Sequence, residues 1–184
     1  MREAWSRERS LLRPAKLTPA LVEAGPAPDG SRPWVPESLL PLHGTRSLAA
    51  LSDTQRLRYN QAYARQLAEE FIWLERYLIL APVAKLTQRP GLDPDVSLVL
   101  RSFMSDESHH VASFSKLREL AIKASGLKNP TSLYNPPRSV RAMAGLAARF
   151  PLRFAFWTTV IQDLEDYAVK VGQTYKRDRT VDPA

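Results

Sequence analysis

Between Asp93 and Gly126 apolar residues recur at three- and four-residue steps: Val96, Val99 and Phe103, then Phe114, Leu117 and Ala121. The two positions in the middle of that stripe hold Glu107 and His110. Residues three and four apart share one face of an α-helix, so the spacing predicts a long helix with a carboxylate and an imidazole on the face meant for burial. Such a helix cannot stand alone. Its stripe needs an opposing surface, and an ionised carboxylate taken out of water without a partner is strongly unfavourable. Asp93-Pro94 supplies a start, a capping acid followed by proline at the first helical position, and Gly126 supplies a stop.

A partner lies just upstream. Ser52 and Gln55 have the spacing of a capping box, and helical periodicity continues from there to about Thr87. Only Pro82 interrupts it, and proline predicts a kink or an end near Leu80. The stripe of this helix reads Ala64, Ala68, Phe71, Glu75 and Leu78, again with one acid among small and apolar residues. If the two helices form an antiparallel hairpin turning near Arg89-Pro90-Gly91, Glu75 lies about as far before the turn as Glu107 lies after it. The two carboxylates then sit at one height. Glu70 is more than a turn away and is the reserve choice, whereas Glu69 falls on the face carrying Arg65 and Arg76.

Beyond Gly126, the stretch from Asn129 to Pro137 reads as a loop, Ser139 to Phe150 as a shorter amphipathic helix, and Pro151 restarts a long helix reaching about Lys176. That last helix has a seam of Phe154, Trp157, Ile161, Leu164, Ala168 and Val171, with Glu165 beside it. No stretch alternates in the manner of a strand, so the class is all-α. Residues 1–50 differ. Pro14, Pro19, Pro26, Pro28, Pro33, Pro36 and Pro41 forbid long helices there. Trp34, Val35, Leu39 and Leu40 nevertheless give the segment apolar anchors, so it reads as an extended arm lying on a body formed by residues 51–184, with Trp34-Val35-Pro36 docked.

Composition removes several alternatives. There is no cysteine, which excludes disulfides, thiolate metal sites and a nucleophilic thiol. No apolar run approaches the roughly 20 residues of a membrane-spanning helix, and the first residues lack a signal peptide's apolar core, so a cytoplasmic protein is the expectation. The net charge of +7 is thinly spread, with +2 in residues 1–50, +1 in 51–125 and +4 in 126–184. No basic helix interleaved with aromatics appears, which argues against a specific nucleic-acid partner.

Glu107 and His110 are spaced as Glu-x-x-His, the arrangement by which one helix of a bundle presents two ligands to a metal. With Glu75 opposite and Glu165 as a bridging or terminal carboxylate, the set is three glutamates and one histidine. Such a set suits iron or manganese better than structural zinc. The competing readings are a buried Glu–His pair at 107 and 110, an arginine-paired edge glutamate at 75, and a solvated acid at 165. His109 points about 100° away from His110 and belongs to the surface or to the surroundings of the ligands. Asp106 is placed to orient a ligand histidine from another helix. Without metal, carboxylates crowded in an apolar seam are expected to raise one another's pKa.

Taken together, Leu51-Ser52-Asp53-Thr54-Gln55-Arg56-Leu57, Glu69-Glu70-Phe71-Ile72-Trp73-Leu74-Glu75, Phe103-Met104-Ser105-Asp106-Glu107-Ser108-His109-His110 and Asp163-Leu164-Glu165-Asp166 resemble the diiron oxygenase family typified by p-aminobenzoate N-oxygenase. The resemblance covers most of this chain but only the N-terminal portion of such an enzyme. It implies a ferritin-like helical bundle, two irons held by two helix pairs, O₂ as co-substrate and oxidation of a small amine, an aromatic one in the type member. It also implies a dry pocket, here lined by Phe71, Phe103, Trp157 and Ile161. By position Glu75 resembles the family's first glutamate, Glu107 and His110 its first Glu-x-x-His, and Glu165 its second glutamate. The family continues with a helix bearing a second Glu-x-x-His, and no histidine follows His110 here. The bundle is therefore expected to lack its fourth long helix, to bind iron partially, and to be completed by a homodimer partner or a complementary C-terminal chain. A metal-free helical interaction module is the alternative.

Overall fold

A computed structural model describes residues 28–126, 131–151 and 173–181. Among these every regular element is helical and no strand occurs. No helix among them is long and apolar enough to cross a membrane. In chain order they include a 3-10 turn at Glu37–Leu39, α1 (Arg46–Ala49), α2 (Asp53–Leu74), a π-helical segment (Glu75–Leu80), α3 (Ala81–Thr87), α4 (Pro94–Ala124) and α5 (Arg138–Arg149), and residues 173–177 are helical as well.

The capping box forms as its spacing predicts. Ser52 Oγ accepts from Gln55 N–H, and Gln55 Oε1 accepts from Ser52 N–H. Asp93 caps α4 by accepting from the N–H groups of Asp95 and Val96, with Pro94 in the first turn. Gly126 follows the last turn of α4 at φ 68°, and Gly91 turns the hairpin at φ 74°, a region L side chains disfavour.

Pro82 does not end the first helix. Proline has no N–H to donate, and its ring presses on the carbonyl one turn back. The backbone answers with a π-turn. Ala81 N–H reaches Arg76 O, five residues back, and Pro82 falls in the first turn of α3, where its missing donor is harmless. The extra residue in that turn rotates everything after it by roughly 100°. Ile79, Val83 and Leu86 are therefore buried, whereas Leu78, the position that strict periodicity selects, is only half-buried.

α2 and α4 run antiparallel. Glu69 meets Arg118, Phe71 meets Phe114, Glu75 meets His110, and Val83 with Leu86 packs on Leu100, Phe103 and Met104. The α4 stripe is narrower than its spacing implies. Val99 and Leu117 are 36% and 41% exposed, because α2 covers the line through Phe103, Glu107 and Ala121 and leaves the flank open. α5 packs against the π-segment and α3. It begins one residue earlier than its periodicity indicates, with Pro137 before it.

The arm is docked but not extended throughout, since residues 28–50 contain the 3-10 turn and α1. Buried Asn60 of α2 accepts from Trp34 N–H and Val35 N–H and donates to Val35 O at 2.6 Å. Val35, Leu40 and Leu48 form a small core there, joined by Tyr59, Tyr63 and Tyr175. Residues 173–181 return to this end, where Arg32 donates to the carbonyls of Arg179 and Val181.

Candidate metal centre

The hairpin brings Glu75, Glu107 and His110 together, with one ligand atom of each lying within 4.8 Å of the others. Two come from one turn of α4 because i, i+3 spacing stacks them, and Glu75 opens the π-segment opposite. Both glutamates are buried and the histidine is half-buried. His110 Nδ1 lies 3.1 Å from Glu107 Oε2 and 3.8 Å from Glu75 Oε1. Phe71, stacked on Phe114 at 4.8 Å, and Phe103 lie one turn from Glu75 and Glu107 respectively. The seam around the cluster is thus apolar on both sides along the helix axes.

The crowding acts on Glu107 in the opposite sense to the one the sequence implies. Burial works to raise its carboxyl pKa, but hydrogen bonds from His110 and Glu75 and the His110 charge outweigh burial and hold it below the usual carboxylate range. Glu107 is therefore kept as the acceptor, and the imidazole supplies the compensation that its place in the stripe demands.

A buried cluster fits a metal ion when its donors are few, convergent and of the right chemistry. Two carboxylates and an imidazole meet the last condition for Fe²⁺ or Mn²⁺. Donors around one such ion sit about 2.1 Å from it and hence about 3–4 Å from one another, so a modest side-chain adjustment would close this set. Ligation by these three alone among the described residues would leave coordination positions open, the condition for chemistry rather than purely structural binding.

The remaining candidates separate clearly. Glu165, Trp157 and Ile161 lie outside the described residues. His109 is exposed, which places it on the surface. Asp106 is half-exposed and makes no hydrogen bond to a histidine among the described residues. Glu70 is half-buried on another face of α2, and burial raises its pKa.

Glu69 is the residue whose part periodicity understates. Its buried carboxylate accepts from Arg65 Nε at 3.1 Å, Arg118 Nε at 2.9 Å, Ser132 Oγ at 2.7 Å, and the N–H groups of Leu133 and Tyr134. Arg65 also donates to Thr131 O. Burial alone would raise the Glu69 carboxyl, but these donors together bring it down to about 2. The i, i+4 spacing of Arg65 and Glu69 is visible in sequence. That Glu69 anchors a loop more than sixty residues away is not.

Comparison of the chain with models of protein families, with curated proteins and with solved structures gave no match.

Proposed function

We propose that this chain is a non-haem iron protein of ferritin-like design, an oxygenase that uses O₂ to oxidise a small amine, with Glu75, Glu107 and His110 as ligands of one iron. The observation that carries the reading is the convergence of these three donors inside an otherwise apolar two-helix seam. An ordinary structural ion pair would be satisfied by Glu107 and His110 alone. A second carboxyl group delivered from the opposite helix to the same point adds a third donor that such a pair does not require and that a divalent cation would use.

When bound, iron in such a site supplies redox chemistry toward O₂. The chain's own residues do the rest. Glu75 fixes the donor set from the π-segment, where a turn of altered pitch lets its side chain reach across to α4. Glu107, held below the usual carboxylate range, is ready to ligate without first losing a proton. His110 must present a neutral ring nitrogen to a metal, so binding exchanges its contact with Glu107 for ligation. Phe71, Phe114 and Phe103 exclude water along the seam. The family's second iron site, with Glu165 among its ligands, and a partner subunit that completes it, are parts of the same proposal.

Anaerobic titration with Fe²⁺ tests it, using Co²⁺ as a spectroscopic substitute. Saturable binding that disappears in Glu107→Gln and His110→Ala but persists in Glu70→Gln supports the reading. An unmodified protein that takes up neither ion removes it. Iron-dependent O₂ consumption stimulated by an aromatic amine then tests the oxygenase assignment separately from metal binding.

A further inference from the structure

Another face of α2 carries a constellation that the metal cluster does not use. Glu70 and Trp73, three residues apart on α2, share a face, and Tyr77 of the π-segment joins them through its contact with Trp73. The Trp73 ring meets Tyr77 at 5.2 Å between centroids, tilted by 34°, and meets Tyr134 edge-on at 6.3 Å and 61°. Tyr134 is brought there by the loop fastened to Glu69, and it lies near enough to Glu70 for that carboxylate to act on its hydroxyl. Tyr77 is 51% exposed, while Glu70, Trp73 and Tyr134 are half-buried, so the group is open to solvent on one side.

The electrostatics of this corner are unbalanced. Arg65 and Arg118 both turn to the neighbouring Glu69. No hydrogen bond or ion pair reaches Glu70 among the described residues. A half-buried carboxylate therefore shares this face with an aromatic group whose ring faces are electron-rich, and no cation among the described residues is paired with it. A hard divalent ion would need several oxygen ligands, and one carboxylate does not provide them. A polarisable cation with an alkyl body satisfies every component. Its charge meets Glu70, and its carbon surface lies against the rings.

We propose that Glu70, Trp73, Tyr77 and Tyr134 form a binding site for the ammonium group of a small organic amine. The site is distinct from the Glu75–Glu107–His110 cluster and does not depend on metal. Glu70 supplies charge attraction and, for a primary amine, a hydrogen-bond acceptor. Trp73 and the two tyrosines supply cation–π contact and displace water from the alkyl part.

Calorimetric titration of the full chain with tetramethylammonium and with n-butylammonium tests the proposal, with neopentyl alcohol as the neutral compound of similar shape. Both cations should bind and the alcohol should not. Glu70→Gln, which preserves shape and removes charge, should weaken binding about tenfold. Tyr77→Leu alters a largely exposed ring, leaves the fold intact by circular dichroism, and should weaken it several-fold. Glu107→Gln should leave it unchanged, which separates this site from the metal reading. A peptide bearing trimethyllysine forms the second arm. Tighter binding of the peptide than of the free cations would assign the site to a protein side chain and overturn the assignment to a small amine. Equal binding of cation and alcohol, or Glu70→Gln and Tyr77→Leu both without effect, would overturn the site itself.

Discussion

Glu69 and Glu70 are adjacent and chemically identical, yet their surroundings drive them in opposite directions. Five donors hold the Glu69 carboxyl down at about 2, while burial pushes that of Glu70 up. For Glu69 the folded pKa lies below the ordinary value of 4.5, so its charged state favours folding. That contribution is fully present above about pH 4.5 and is lost as pH falls toward 2. A fall from 4.5 to about 2 corresponds to about 3 kcal/mol. Glu69→Gln should remove that amount, leave Arg65 and Arg118 without their shared anion, and flatten the acid limb of stability between those pH values. Urea denaturation at a series of pH values checks it, and an unchanged acid limb would show that the clasp is not formed in solution. Glu107 gives a second prediction of the same kind. Because the fold favours its ionised form, Glu107→Gln should lower metal-free stability by about 1–2 kcal/mol. A neutral or stabilising result would mean that the two carboxylates repel more than His110 compensates. The sequence showed that Glu107 and His110 interrupt an apolar stripe, because periodicity is local. It did not show the sign of the Glu107 shift, which depends on how closely His110 and the Glu75 carboxyl approach it once the two helices pack.

At the scale of elements, the helix boundaries were legible wherever a cap or stop is written in adjacent residues, as at Ser52, Asp93 and Gly126. Pro82 was misleading because local rules provide two outcomes for a proline late in a helix, a break or a change of pitch. Tertiary packing chose the second. Pro82 and Val83 are among the most fully buried side chains, and ending the helix at Leu80 would have withdrawn them from Leu100, Phe103 and Met104. The arm depends on a different device. Its backbone is held at Trp34 and Val35 by a single side-chain amide, that of Asn60, which uses both its oxygen and its nitrogen. Asn60→Ala would strand two N–H groups and one carbonyl, costing about 2–3 kcal/mol. Residues 28–50 should then be cleaved markedly faster in limited proteolysis, with α2 and α4 protected as before. Cleavage at the wild-type rate would show that the apolar contacts of Val35, Leu40 and Leu48 hold the arm without the amide.

For the molecule as a whole, the described contacts fall into three levels along the α2–α4 pair. One end is closed by the arm together with residues 173–181, where burial and the neighbouring Tyr63 push the Tyr175 hydroxyl up to about 12. The other end is the hairpin turn with Val83 and Leu86 beneath it. Glu75, Glu107 and His110 lie between, where each helix contributes to the same point. The all-α class and the hairpin were legible because both follow from periodicity and turn residues. The position of α5 against the π-segment was not, because nothing local specifies which face it covers. This arrangement sets the effect of a metal. An ion ligated from both α2 and α4 cross-links the pair that must separate on unfolding, and the unfolded chain holds its three donors far apart. Binding to the folded state alone stabilises by RT ln(1 + [L]/Kd), about 2.7 kcal/mol at a hundredfold excess over Kd. For a chain of this length each kcal/mol raises Tm by about 2–4 °C, so saturating Fe²⁺ or Mn²⁺ should raise it by about 5–10 °C. Ca²⁺, which seeks six or more oxygen ligands, should have a much smaller effect. Differential scanning calorimetry under anaerobic conditions measures the shift. It should vanish in Glu107→Gln and persist in Glu70→Gln and Asn60→Ala, whose positions lie outside the cluster. A shift of equal size in Glu107→Gln would place the bound ion elsewhere, and no shift at all would leave Glu107 and His110 as a buried pair on α4 that meets Glu75 across the seam without a metal.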